Sequence, residues 1–145
     1  MDPADEKMIA EIDAAATALR AAGSGDFAAM DALWRAVYAL PRWAFIARGT
    51  DDAPSPFVGE LDSGPMLFAF TTIARAHEGA LSAGLDEEAA SRVLTVPMPD
   101  AIEWSASFAD SGVRGIVFDL PGFGYFAPLA NLVPMRDYMA ANPVR

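Results

Sequence analysis

Residues 56–72 read PFVGELDSGPMLFAFTT, and this stretch constrains the fold more than any other. Two short apolar segments, Phe57 to Leu61 and Met66 to Phe70, are joined by Asp62-Ser63-Gly64. A turn of that kind ends with glycine in a left-handed conformation, which other residues adopt only at a cost. The second segment is apolar at every position from Pro65 to Phe70 instead of at alternate ones. That pattern predicts a strand covered on both faces, at the centre of a sheet with helices packed around it. Thr71 and Thr72 close the apolar run and supply a cap for a following helix.

At 145 residues the chain is long enough to bury a substantial core within a single domain. Hydrophobic residues make up 53% of it, with alanine accounting for much of the excess. The net charge of −10 disfavours nucleic acid, whose phosphates repel an acidic surface, and anionic membrane surfaces for the same reason. Without cysteine there are no disulfides, thiolate metal ligands or cysteine nucleophiles. No apolar run approaches the ~20 residues of a membrane span, and the first residues, MDPADEK, are acidic where a signal peptide is basic. One Lys beside nine Arg and abundant Ala fits a GC-rich genome. A cytoplasmic bacterial protein is the expectation.

Residues 4–22 carry apolar residues at helical spacing, in a narrow stripe that is mostly alanine. This helix packs on its own domain or on a second copy, and Gly23-Ser24-Gly25 ends it. A second helix follows with Asp26 or Ser24 as its cap; Phe27, Met30, Leu33, Trp34, Val37 and Tyr38 form a bulky face, and Pro41 stops it. Arg42 to Arg48 reads as a strand, and GTDDAPSP as an exposed loop before the hairpin. From Thr72 a helix runs to Gly84, with Ile73, Ala76, His77, Ala80 and Leu81 on one side; Leu85 to Arg92 is a helical turn at most. Val93 to Met98 reads as a strand in which Pro97 marks an edge or the strand's last residue, and Pro99 opens a helix closed by Gly112. Val113 to Asp119 is a further strand. A Pro-Gly turn, a brief extended piece at Tyr125-Phe126 and a last helix from Pro128 complete the chain. The order ααβββαβαβα predicts an α+β fold with α/β-like character, a mixed sheet of about five strands with flanking helices. Residues 1–23 stand apart as a packing or dimerisation arm, and residues 24–145 form one domain.

Catalytic signals are sparse. The single histidine, His77, lies mid-helix, where a surface or core role is the simpler reading, and no serine sits in a G-x-S-x-G elbow. Asp51-Asp52 and Asp86-Glu87-Glu88 are sequence neighbours whose side chains diverge, unlike carboxylate pairs that converge across a cleft. PGFGYF lacks the third glycine and the following helix of a dinucleotide fingerprint. Asp119 is of more interest. It ends an apolar strand, where open α/β sheets bind ligands, and it precedes Phe123, Tyr125 and Phe126. It either accepts amides of the following turn or faces a ligand, and the aromatics suit a protein partner.

Four segments in this order, LWRAVYALPRWAFIARG, PFVGELDSGPMLFAFTT, VLTVPMPDAIEW and GVRGIVFDLPG, resemble the N-terminal domain of the enhanced serine sensitivity (SseB) family of bacterial proteins. The resemblance spans roughly Leu33 to Pro121. Phe70-Thr71-Thr72 matches the family's strand end before a helix. Asp119-Leu120-Pro121 departs from its Asn-Pro-like turn, with Asp for Asn and one residue inserted. The resemblance implies a non-enzymatic α/β module without catalytic residues or a cofactor. The expectation is a protein-interaction or regulatory module, with Arg42, Arg114, Asp119, Phe123 and Tyr125 as candidate binding residues and a protein partner or a second copy as its target. The alternative is a pocket for a small anionic ligand near Asp119, with Arg42, Arg48 or Arg114 neutralising its charge.

Overall fold

The computed structural model describes residues 3–143 apart from 24, 25, 51, 63, 121 and 123, with side chains from residue 6 onward. The chain separates into two compact units, residues 1–41 and 42–145. The first helix shares a unit with the second.

In the first unit, α1 (Pro3–Ala22) packs against α2 (Phe27–Tyr38). Asp26 caps α2, its carboxylate accepting from the Ala29 amide at 2.9 Å. Arg35 and Asp31 pair at 2.7 Å one turn apart. The buried residues of α2 are Leu33, Trp34 and Val37. Phe27, expected on that buried face, is 65% exposed, and Met30 is exposed as well. The apolar stripe thus begins nearly two turns before the buried face does.

The second unit is built on a mixed sheet. Its strands are β1 (Arg42–Gly49), β2 (Pro54–Pro56), β3 (Val58–Leu61), β4 (Gly64–Phe70), β5 (Val93–Pro97), β6 (Gly115–Phe118) and β7 (Tyr125–Pro128). Along its main axis the order is β5-β1-β4-β6-β7, with only β4 and β6 parallel. β4, the strand apolar at every position, lies at the centre. β5, which ends in Pro97, is an edge strand. β1 and β4 pair only at Ala44–Phe45 and Ala69–Phe70, and β2 and β3 pair with what is left of each. Phe57 sits at the apex of this fork: its amide donates to Ile46 O at 2.9 Å, and its carbonyl accepts from Phe68 N at 3.3 Å. The two strands beyond the five expected are β2, three residues long, and β7, at the brief extended piece Tyr125-Phe126.

Helices cover both faces of this sheet. On one, Ala44, Ile46, Met66, Phe68, Phe70 and Val117 pack with Ala76 and Ala80 of α3 (Ile73–Ser82) and Ala90 of α4 (Glu87–Ala90). On the other, the Trp43 and Tyr125 rings meet Phe118, and the Phe45 ring meets Trp104 of α5 (Asp100–Ala106) at 4.9 Å. A 3₁₀ turn, Ser107–Ser111, continues α5 to Gly112. Another, Leu129–Asn131, leads into α6 (Leu132–Ala141). Among the described residues, no helix is long and apolar enough to cross a membrane.

The inward face of α3 consists of small residues, Ala76, Gly79 and Ala80, whereas Ile73 and Leu81 are exposed. Of Ile73, Ala76, His77, Ala80 and Leu81, expected on one side, only the two alanines are buried. Close approach explains the difference, because a Cβ on Gly79 would lie 2.3 Å from the Phe70 ring and 2.9 Å from Leu120 O. Only a helix with small residues on this face fits so near the sheet.

Candidate functional site

The C-terminal ends of the parallel strands β4 and β6 meet at Asp119. Its amide donates to Ala69 O at 3.0 Å, extending the ladder one residue past β6. At the same residue the backbone turns into the left-handed region, with φ +59°, the one such non-glycine residue described. Aspartate tolerates that conformation better than most residues. The turn sends the chain back so that β7 pairs antiparallel with β6.

Asp119 is 4% exposed, and its carboxylate is used within the protein. One oxygen accepts from the Thr71 amide at 2.9 Å. The other accepts from the Thr71 hydroxyl and from an Arg75 guanidinium nitrogen, both at 2.8 Å. The same Arg75 nitrogen donates to Thr71 Oγ1 at 3.1 Å. Thr72, the next residue, caps α3 by accepting from the Arg75 amide at 3.0 Å. The two threonines thus divide the work, one tying β4 to β6 and the other starting the helix whose first turn returns Arg75. This clasp joins two strand ends and a helix. Breaking one partner of such a buried pair leaves an uncompensated charge, which makes the arrangement demanding of all three residues. Asp119 was expected to accept amides of the following turn or to face a ligand; the amide donor described is that of Thr71, across the sheet.

The sequence-derived candidates do not converge. Arg42 is exposed at the start of β1; strand register places it at the same end of the sheet as Thr71. Arg48 and Arg114 belong to the opposite end: Arg48 pairs with Ser55, and Arg114 precedes β6 with its stem against Gly64 at the hairpin turn. Tyr125, expected to offer an anchor to a partner, is instead a buried residue whose ring stacks on Phe118 at 5.5 Å and 5°. Alternation along β7 turns Tyr125 and Ala127 inward and leaves Phe126 46% exposed, so one position's shift decides which aromatic reaches the surface. Phe123 lies outside the described residues. His77 Nε2 is 2.8 Å from Glu87, and Asp86 caps α4. The acids after α3 therefore position a helix. No group of three or more His, Asp or Glu suited to a metal ion occurs among the described residues.

A cleft of about 380 Å³ opens between the β3 hairpin and α3, beside Leu120. Phe57, Phe68 and Leu120 supply its apolar surface, and Glu60, Ser82 and Ala83 its exposed margin. Gly59 and Gly79 complete the lining. The Phe57 and Phe68 rings meet edge to face at 5.3 Å, and a Cβ on Gly59 would lie 2.6 Å from the Phe68 ring. Sequence reading missed this cleft, and also Thr71 and Arg75 as partners of Asp119. Of its lining residues α3 and its cap supply only Gly79, Ser82 and Ala83, whose pattern in the sequence does not distinguish a cleft from a close-packed face. Comparison of the chain with protein-family models, with curated proteins and with solved structures found no match.

Proposed function

We infer that residues 42–145 form a non-catalytic protein-interaction module, of the kind the SseB-like resemblance implies, working in a bacterial cytoplasm. The observation that carries this reading is the cleft between β3 and α3. An open cavity with an aromatic surface, framed by a hairpin and a helix, is the shape that takes side chains from a partner. The placement of Asp119 favours it over an anionic-ligand pocket at the strand ends. There the carboxylate accepts three hydrogen bonds from Thr71 and Arg75, and Arg48 and Arg114 lie at the other end of the sheet.

The test fills the cleft from its rim. Ser82 is exposed at the end of α3, so Ser82→Trp adds bulk without disturbing the core. In affinity capture from the source cells, proteins retained reproducibly by the wild type are expected to be lost with Ser82→Trp at unchanged melting temperature. Equal retention by both proteins removes the cleft from the reading.

A further inference from the structure

We propose that the outer edge of β3 takes an extended segment of a partner protein as an added antiparallel strand, with alternate apolar side chains of that segment on the face of the cleft. This rests on the interaction reading above and adds the partner's backbone conformation and side-chain pattern. The phase of the ladder decides which main-chain groups face outward. Opposed residues of an antiparallel pair alternate between those that exchange hydrogen bonds and those whose N–H and C=O point away. Phe57 O accepts from Phe68 N, and Pro65 O accepts from Arg114 N on the far side of β4. Phe57–Phe68 and Gly59–Met66 are therefore bonded pairs, whereas Val58–Leu67 and Glu60–Pro65 are not. The N–H and C=O of Val58 and Glu60 thus point away from β4, on an edge with which no other described strand pairs. Val58, Glu60 and Leu61 are exposed there. β2 leaves that edge open. Phe57 alone separates it from β3, fewer than the two residues of the commonest tight hairpin, so the two strands splay apart.

The other edges are built differently. The same alternation turns Pro54 and Pro56 outward on β2, Pro97 outward on β5 and Pro128 outward on β7. Each proline stands where an added strand needs an N–H, which protects a sheet edge. β3 alone has no proline on its outer edge, and it is the edge beside the cleft. Gly59 lies opposite Met66, on the face that α3 covers, and alternation puts Leu61 on that face too. An added strand uses the N–H and C=O of both Val58 and Glu60, and its residues opposite Gly59 and Leu61 share the face of the cleft. The Phe57 and Phe68 rings and Leu61, 40% exposed, suit apolar residues at those two places. Antiparallel pairing is the commoner and the more stable direction. A second copy is the poorer occupant. The two-fold pairing that uses Val58 and Glu60 of both copies sets Gly59 against Gly59 and leaves the cleft empty.

Isotope-labelled full-length protein is titrated with the blocked pentapeptide Ser-Leu-Thr-Leu-Ser and with versions N-methylated at its threonine or at its second leucine, and backbone amide shifts are followed. The parent peptide is expected to move Val58, Gly59, Glu60, Gly79 and Ser82. With the leucines opposite Gly59 and Leu61, the threonine N–H faces Glu60 O and the leucine N–H points away. N-methylation at threonine is therefore expected to weaken binding about tenfold, and at leucine by no more than about twofold. Glu60→Pro gives β3 the proline that the other edges carry without removing a ladder bond; it is expected to weaken the parent peptide at least about tenfold, and Glu60→Ala by no more than about twofold. If Glu60→Pro fails to fold, the N-methylated pair decides. Binding that moves the cleft residues yet ignores both N-methyl groups overturns the added strand and leaves the interaction reading intact. Shifts centred on Val93 and Thr95 overturn β3 in favour of the β5 edge. Concentration-dependent shifts of Val58 and Glu60 without peptide overturn the partner segment in favour of a second copy. If no peptide moves these amides, the proposal falls, and the Ser82→Trp capture experiment decides separately whether the interaction reading falls with it.

Discussion

At the scale of single residues, Asp119 shows how one side chain can be chosen by two constraints. Its backbone needs a residue that accepts φ +59°, and its carboxylate needs three donors. Asn meets the first constraint and part of the second; Ala meets neither. Asp119→Asn is therefore expected to cost about 2 kcal/mol and Asp119→Ala about 4 kcal/mol, measured by urea unfolding. Equal losses would separate the charge from the conformation and contradict the double role. Tyr125 and Phe126 form a second contrast, adjacent in sequence and opposite in burial. Tyr125→Ala removes a buried ring stacked on Phe118 and is expected to cost about 3 kcal/mol or more; Phe126→Ala is expected to cost well under half of that.

At the scale of elements, α3 is where local preference and tertiary packing oppose each other. Gly79→Ala improves intrinsic helix propensity by about 1 kcal/mol. The added Cβ, however, would lie within 2.3 Å of the Phe70 ring and 2.9 Å of Leu120 O. Overpacking of that kind costs about 1–3 kcal/mol, and backbone cannot yield as a flexible side chain does. The net expectation is destabilisation by roughly 1 kcal/mol in chemical denaturation; a stabilised variant would mean that α3 stands farther from the sheet. The same helix shows why sequence reading succeeded in one place and failed in another. β4 was legible because a buried strand needs apolar residues at every position, and that signal is local. The hairpin turn and the Thr72 cap were legible for the same reason. The inner face of α3 was not: small and large apolar residues look equally inward until the distance to the sheet is known. The fork at Phe57 was hidden as well, because it depends on where β1 and β4 part. The partnership of Thr71, Arg75 and Asp119 spans 44 to 48 residues of sequence and leaves no periodic trace.

At the scale of the whole molecule, the sheet unit separates a region that holds the fold from a region open to a partner. The clasp of Thr71, Arg75 and Asp119 belongs to the first, and the cleft between β3 and α3 to the second. This separation within the sheet unit is the central claim. The most direct measurement compares two variants in parallel, Thr71→Val at the clasp and Ser82→Trp at the cleft, by thermal unfolding and by affinity capture from the source cells. Thr71→Val keeps the side chain's shape but leaves a buried carboxylate oxygen with one donor fewer; it is expected to lower stability by about 2 kcal/mol, and Tm by roughly 5–10 °C, with the captured proteins unchanged. Ser82→Trp is expected to leave Tm within about 2 °C of the wild type and to reduce retention of the captured proteins at least about tenfold. The opposite pattern, with affinity lost at the clasp and retained with the cleft filled, would place the binding function at Asp119 and contradict the account.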